Sequence, residues 1–203
     1  MNFLKEGERI VLQTVHGSHL YNLAHAGSDY DSYAIFVSPD PKRKKYAKQN
    51  IDQDNNDVTV LNLETFVQQV NKGVPQALEA LYSPVAVKDA KYAPYFNALR
   101  PAEGAVWDRY RRTILNFGLH HGGRSAARRS RDTAAEKYKL ARHALRLTVN
   151  LNDFMLYGSF NPRLSDRQAS YLSTLATAHS TPAFETTLRT MLTEAYSGNL
   201  YQH

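Results

Sequence analysis

RIVLQTVHGSHLYNLAHAGSDYDSYAIFV, residues 9–37, places a Gly-Ser step and an Asp-x-Asp pair between two apolar runs. Residues 9–15 are short, apolar and β-branched, the composition of a strand. Gly17 ends that run, and Ser18 is suited to cap a helix. Residues 33–37 (YAIFV) read as a second strand, stopped by Ser38-Pro39-Asp40-Pro41. Side chains two apart on a strand share a face, so Asp29 and Asp31 are expected to point together into one cleft. Paired hard carboxylates suit Mg²⁺ (or Mn²⁺), which takes oxygen ligands and keeps part of its shell for water and phosphate. Such a pair is costly unless a cation or partner offsets the repulsion. Upstream, Gly17 lets the backbone approach a ligand closely. A helix starting at Ser18 would aim N–H groups and a hydroxyl at phosphate oxygens.

A two-metal site needs one more carboxylate. Residues 58–63 (VTVLNL) read as a third strand, and Asp57 stands at its start. Asp52, Asp54 and Glu64 are rivals, and the residues alone leave the choice open. Next come a helix over 64–72, ended by Gly73, and a second opened by Pro75 and running through 81. From about residue 92 the strand signals vanish. Helices are expected over 92–99, 103–119, 133–157, 165–179 and 183–196. Thr133 with Glu136 forms a capping box, Gly158 is a stop, and Thr181-Pro182 starts the last helix. A small mixed sheet followed by helices is α+β. The expected division is a core over 1–90 and a helical part over 91–203 that closes a nucleotide cleft, the two forming one compact unit.

The 203 residues carry a formal charge of +6 and no cysteine. The charge favours a polyanionic partner. The missing cysteines exclude disulfides, thiolate zinc sites and a cysteine nucleophile. No window approaches the length of a membrane span, and the polar N-terminus does not read as a secretory signal, so a cytoplasmic location and no membrane partner are expected. At about 100° per residue, Lys139, His143, Arg146, Asn150 and Asp153 share one stripe of the 133–157 helix. It borders an apolar stripe of Leu140, Ala144, Leu147, Leu151 and Phe154. Lys139, His143 and Arg146 are therefore candidate contacts for a triphosphate or departing pyrophosphate. Two basic segments, 42–45 and 124–131, are candidate grips for RNA or DNA phosphates, the first reading more as a solvated loop tip. Trp107 and its neighbours in WDRYRR are read as a helix with a buried aromatic.

On these motifs the chain resembles the DNA polymerase β-like nucleotidyltransferase superfamily. The resemblance rests on His16-Gly17-Ser18, the spacer, Asp29-Tyr30-Asp31, and Asp57 on a later strand. Within the superfamily it is most similar to the stand-alone group that includes RNA-repair-associated polymerase-type proteins. Phe66, Pro75 and Leu78-Glu79-Ala80-Leu81 look like that group's segment after the third strand. Lys139, His143, Arg146 and Leu156-Tyr157-Gly158 look like its later helix. Val74-Pro75 departs from the Asn-Pro common there, and the 42–56 loop has no counterpart that aligns. The resemblance implies a nucleotidyltransferase palm flanked by helices and two divalent ions. It implies transfer of a nucleoside monophosphate from an NTP with loss of pyrophosphate. In that scheme Asp29, Asp31 and Asp57 hold metal, and Asp57 also activates the acceptor. Gly17, Ser18, Ser28, Lys139, His143 and Arg146 contact the nucleotide. The alternative is a non-catalytic module of the same fold that binds nucleic acid or a partner protein through its basic face.

Overall fold

The computed structural model describes residues 4–40, 42–43, 49–50, 57–119, 133–198 and 200. The chain forms two compact units, Met1–Pro101 and Ala102–His203. Its architecture is the expected α+β: a mixed sheet with helices in the first unit, helices in the second.

The first unit runs β1 (Arg9–His16), α1 (Gly17–Tyr21), β2 (Asp31–Val37), β3 (Gln49–Asn50), β4 (Asp57–Asn62), α2 (Leu63–Asn71), α3 (Pro75–Tyr82), β5 (Val87–Lys88) and α4 (Ala93–Ala98). The sheet order is β3-β4-β2-β1-β5. β2 and β4 are parallel, and every other pair is antiparallel. β3 and β5, two residues each, escape sequence reading because so short a run shows no period. β4 ends one residue earlier than expected, because Asn62 turns from strand to cap. Its Oδ1 accepts from the Thr65 N–H at 2.8 Å and starts α2.

Ala34 pairs with Val60 and Phe36 with Asn62, so Phe36, Val58 and Val60 share one face of the sheet. Leu4 packs on them there. On the opposite face Tyr33 meets Phe66 of α2 edge-on at 6.4 Å. The β1–β2 register shifts between Ile10 and Leu12. With an uninterrupted ladder Val15 would stand opposite Asp31; the shift brings His16 there instead, so the irregularity sets the register of the Gly17 turn.

The basic loop tip is only partly as expected. Lys44 and Lys45 lie outside the described residues, and Lys42 is exposed. Arg43 is not solvated: its Nε donates to Glu8 Oε1 at 2.6 Å, and the Glu8 side chain is buried. Burial alone would raise the Glu8 pKa. The Lys5 N–H, Ser38 and Arg43 outweigh it and hold the carboxyl below its ordinary value.

The second unit comprises α5 (Glu103–Gly118), α6 (Ala134–Tyr157), α7 (Asp166–Ala176) and α8 (Pro182–Ser197). Thr133 and Glu136 make the expected capping box, and Gly158 closes α6 at φ +67°. α6 is central, with α5, α7 and α8 packed on it. Every residue from Ala144 to Asn152 is consequently buried. Among the described residues, no helix is long and apolar enough to cross a membrane.

A group whose folded pKa is depressed adds stability above its unfolded pKa and loses it as pH falls through the folded value. Wild type should therefore lose the Glu8–Arg43 contribution on acidification through the carboxylate range. Glu8→Gln should lower stability by about 1 kcal/mol at neutral pH and flatten that acid limb. Thermal denaturation between neutral and acid pH reads both.

Candidate nucleotide and metal site

The site is built where β1 breaks into α1. Gly17 has φ +68°, a conformation that favours glycine. A Cβ built there would collide with Asp31 Oδ2 and come within 3.2 Å of its Cγ. The Asp31 carboxyl thus lies against the glycine Cα. The glycine also moves the helix start: His16 occupies the N-cap position and makes no side-chain cap bond. Ser18 is therefore inside the first turn and is not the cap the sequence suggested. Its carbonyl accepts from the N–H of Leu23 at 3.0 Å, closing the turn.

The spacer is folded back on itself. His19 Nε2 lies 3.2 Å from the Ser28 carbonyl oxygen. The His25 N–H donates to Ser28 Oγ at 2.9 Å. The His19 and Tyr30 rings are 5.1 Å apart. Ser28 thereby shapes the approach to the acidic pair through its backbone and its hydroxyl.

The acidic pair itself is split. β2 starts at Asp31, while Asp29 precedes the strand and is exposed. The two do not share a strand face as expected, because pairing with β1 begins only where His16 meets Asp31. Asp57 is better placed. β2 and β4 are parallel with Ser32 opposite Val58, so Asp31 and Asp57 each precede the first paired residue of adjacent strands. Pleat alternation puts both on the face that carries Tyr33 and Ile35, the face turned to α2. Of the rival carboxylates, Asp52 and Asp54 lie outside the described residues. Glu64 is exposed in the first turn of α2, where Gln68 Nε2 donates to it at 3.2 Å.

Beneath the turn is a polar cluster that the sequence reading passed over. Glu79 on α3 is 1% exposed. The Tyr21 hydroxyl donates to Glu79 Oε2 at 2.5 Å, and His16 Nε2 lies 3.3 Å from the same oxygen. One buried carboxylate thus ties together the residue before Gly17 and the last residue of α1. Tyr33, whose ring is 5.6 Å from that of His16, has its pKa raised by burial and then by the charge of Glu79. Its protonated hydroxyl donates to Gln69 Oε1 at 3.3 Å. The available signal was Glu79 itself, a lone acid in the apolar run Leu78-Glu79-Ala80-Leu81.

A family model described as the RNA repair pathway DNA polymerase beta family matches residues 3–183. The chain belongs to this family. No curated protein matches it. Membership places the chain in a polymerase β-like nucleotidyltransferase group. The oxygen donors Asp31 and Asp57, at one end of one sheet face with a glycine leaving room beside them, suit a hard divalent cation. Among the described residues, no three His, Asp or Glu side chains are gathered closely enough to hold a metal as they stand.

On α6 the three expected nucleotide contacts are placed unequally. Lys139 is exposed and His143 half-buried, its ring edge-on to Phe117 at 4.6 Å. Arg146 is fully buried, with Nη2 3.2 Å from His143 Nδ1. The segment 124–131 lies outside the described residues.

Gly17→Ala should cost about 1–3 kcal/mol, since it adds backbone strain and displaces the Asp31 carboxyl. Urea denaturation measures the loss, and amide chemical shifts of β2 should change most around Asp31. Unchanged stability with unchanged β2 shifts would contradict the contact.

Proposed function

We propose that this chain is a divalent-metal-dependent nucleotidyltransferase, moving a nucleoside monophosphate from an NTP to an acceptor hydroxyl with release of pyrophosphate. The observation that carries the reading is the Asp31 carboxyl fitted against Gly17, with Asp57 at the same end of the neighbouring parallel strand.

Each residue has a defined task. Gly17 and Ser18 bring backbone N–H groups and a hydroxyl to the triphosphate, because the glycine leaves the backbone bare at that point. Asp31 and Asp57 would hold the divalent ion, with Asp29 completing the set from the loop before β2. The ion, when bound, neutralises phosphate charge that would otherwise repel the carboxylates. Asp57 accepts the proton of the attacking hydroxyl. Glu79 fixes His16 and Tyr21, and through them the entry and exit of the Gly17 turn. Ser28 contacts the nucleotide from the folded spacer. By the family resemblance of their helix Lys139 and His143 are assigned triphosphate contacts, whereas Arg146, fully buried, is left the task of positioning His143 through its Nη2, 3.2 Å from Nδ1. Rate enhancement then comes from positioning and charge stabilisation, as in phosphoryl transfer generally.

The second reading, a non-catalytic module that binds through its basic face, is favoured by one observation. The three carboxylates do not form a cluster as they stand. Incubation of the wild type with each labelled NTP, Mg²⁺ or Mn²⁺, and RNA, nucleotide or protein acceptors separates the two readings. Label transfer that falls about 10²–10³-fold in Asp31→Asn and Asp57→Asn supports the enzyme. Absence of transfer, with no metal-dependent nucleotide binding by calorimetry, supports the module.

A further inference from the structure

α5 carries the sequence WDRYRRTILNFG over residues 107–118. Val106, Tyr110 and Ile114 are its buried residues. At about 100° per residue this leaves an outward arc holding Arg111, Asp108, Arg112 and Arg109 in turn. All four are exposed, so the arc presents three guanidiniums against one carboxylate. Among the described residues none of the three arginines is in an ion pair. That contrasts with Arg43, which closes on buried Glu8, and Arg189, which pairs with Glu185 one turn away at 2.8 Å.

Three features make the arc more than scattered surface charge. Arg109, Arg112, Thr113, Leu115 and Asn116 line an open groove of about 430 Å³. Arg112 is exposed and also held against its own helix, its Nε donating to the Asp108 carbonyl at 3.0 Å, so the side chain has less freedom to lose on binding. At the edge of the arc Trp107 meets Tyr196 of α8 with ring centroids 4.5 Å apart, and Tyr196 is 57% exposed. Arginines along one exposed helix face, with Leu115 beside them in the groove and the Trp107–Tyr196 pair beyond Arg111 on the other side of the arc, suit a flexible strand that offers both phosphates and base faces.

We propose that this face of α5 is a docking surface for single-stranded RNA. Arg109, Arg111 and Arg112 take consecutive phosphates, Leu115 lies under a base or sugar, and the Asn116 amide has both a donor and an acceptor for a 2′-hydroxyl. The charge complementarity and the family's place in RNA repair select this occupant over a protein. The surface belongs to the second unit and does not rest on the transfer reading.

The test is fluorescence anisotropy with a labelled RNA of about 12 nucleotides and a DNA of the same sequence, across a salt series. Arg109→Glu/Arg112→Glu should weaken RNA binding about tenfold or more and reduce the log–log salt slope by about 1.4, two single-strand contacts. Arg109→Gln/Arg112→Gln should do so to a lesser degree. Lys91→Glu/Arg167→Glu, with the same change in net charge on exposed residues elsewhere, should change affinity less than about threefold. Circular dichroism confirms that each variant is folded. Asp31→Asn should bind RNA like the wild type, so loss of transfer and loss of docking are read separately. No RNA binding by the wild type, equal weakening in the control variant, or unchanged affinity in both Arg109/Arg112 variants overturns the surface. Equal binding of the DNA overturns the choice of RNA.

Discussion

The first unit depends on one absence, the missing side chain at residue 17. Because Gly17 has no Cβ, the Asp31 carboxyl fits against its Cα and the chain leaves β1 at φ +68°. That single close approach fixes three things together: where β1 ends, where pairing with β2 begins, and how near the first carboxylate lies to the backbone of the turn. Asp57 inherits its place from the same origin, since β4 follows the register of β2. A shift of one residue anywhere in this chain of pairings would turn Asp31 or Asp57 to the opposite face. The irregularity between Ile10 and Leu12 belongs to the same constraint, because it brings the end of β1 into phase with the start of β2.

Holding such a turn requires support from below, and the support is polar. Burying the Glu79 carboxylate is expensive, and a hydrophobic residue would be expected to serve stability as well or better. What a hydrophobic residue cannot do is hold two donors in fixed directions. Glu79 Oε2 takes the Tyr21 hydroxyl and lies beside His16 Nε2, so both flanks of Gly17-Ser18 are anchored to one atom of α3. Removing Glu79 would take away the buried oxygen that the Tyr21 hydroxyl and His16 Nε2, 3.3 Å from each other, both approach, a penalty that falls directly on the turn. Stability is therefore spent at the place where geometry matters most, the pattern expected of a functional site.

Local chemistry was legible and tertiary chemistry was not. The β-branched runs gave β1, β2 and β4, and the Thr133–Glu136 box and Gly158 gave the ends of α6, because each signal lies within a few residues of its effect. Ser18 misled because cap preference assumes an ordinary entry into a helix, whereas the left-handed Gly17 moved the cap back to His16. Asp29 misled because pairing, which alternation presupposes, had not begun at that residue. Glu79 and His16 are 63 residues apart, and Arg43 and Glu8 are 35 apart; neither pairing leaves a periodic trace.

Arginine shows most clearly what position adds to residue type. Arg146 and Arg109 look alike in sequence, each a cation beside an apolar stripe. α6 is covered by three helices, so any row along its middle is buried whatever its chemistry, and Arg146 goes in with Thr148, Asn150 and Asn152. α5 has one buried edge, so its arginines stay in water and keep their charge available. A buried guanidinium is held to its neighbours by the cost of desolvation. An exposed one next to a groove has no such commitment, and a phosphate can displace its water at little cost. Among the described residues, positive charge thus divides into a part buried in the fold, as at Arg146, and a part left in water, as along α5.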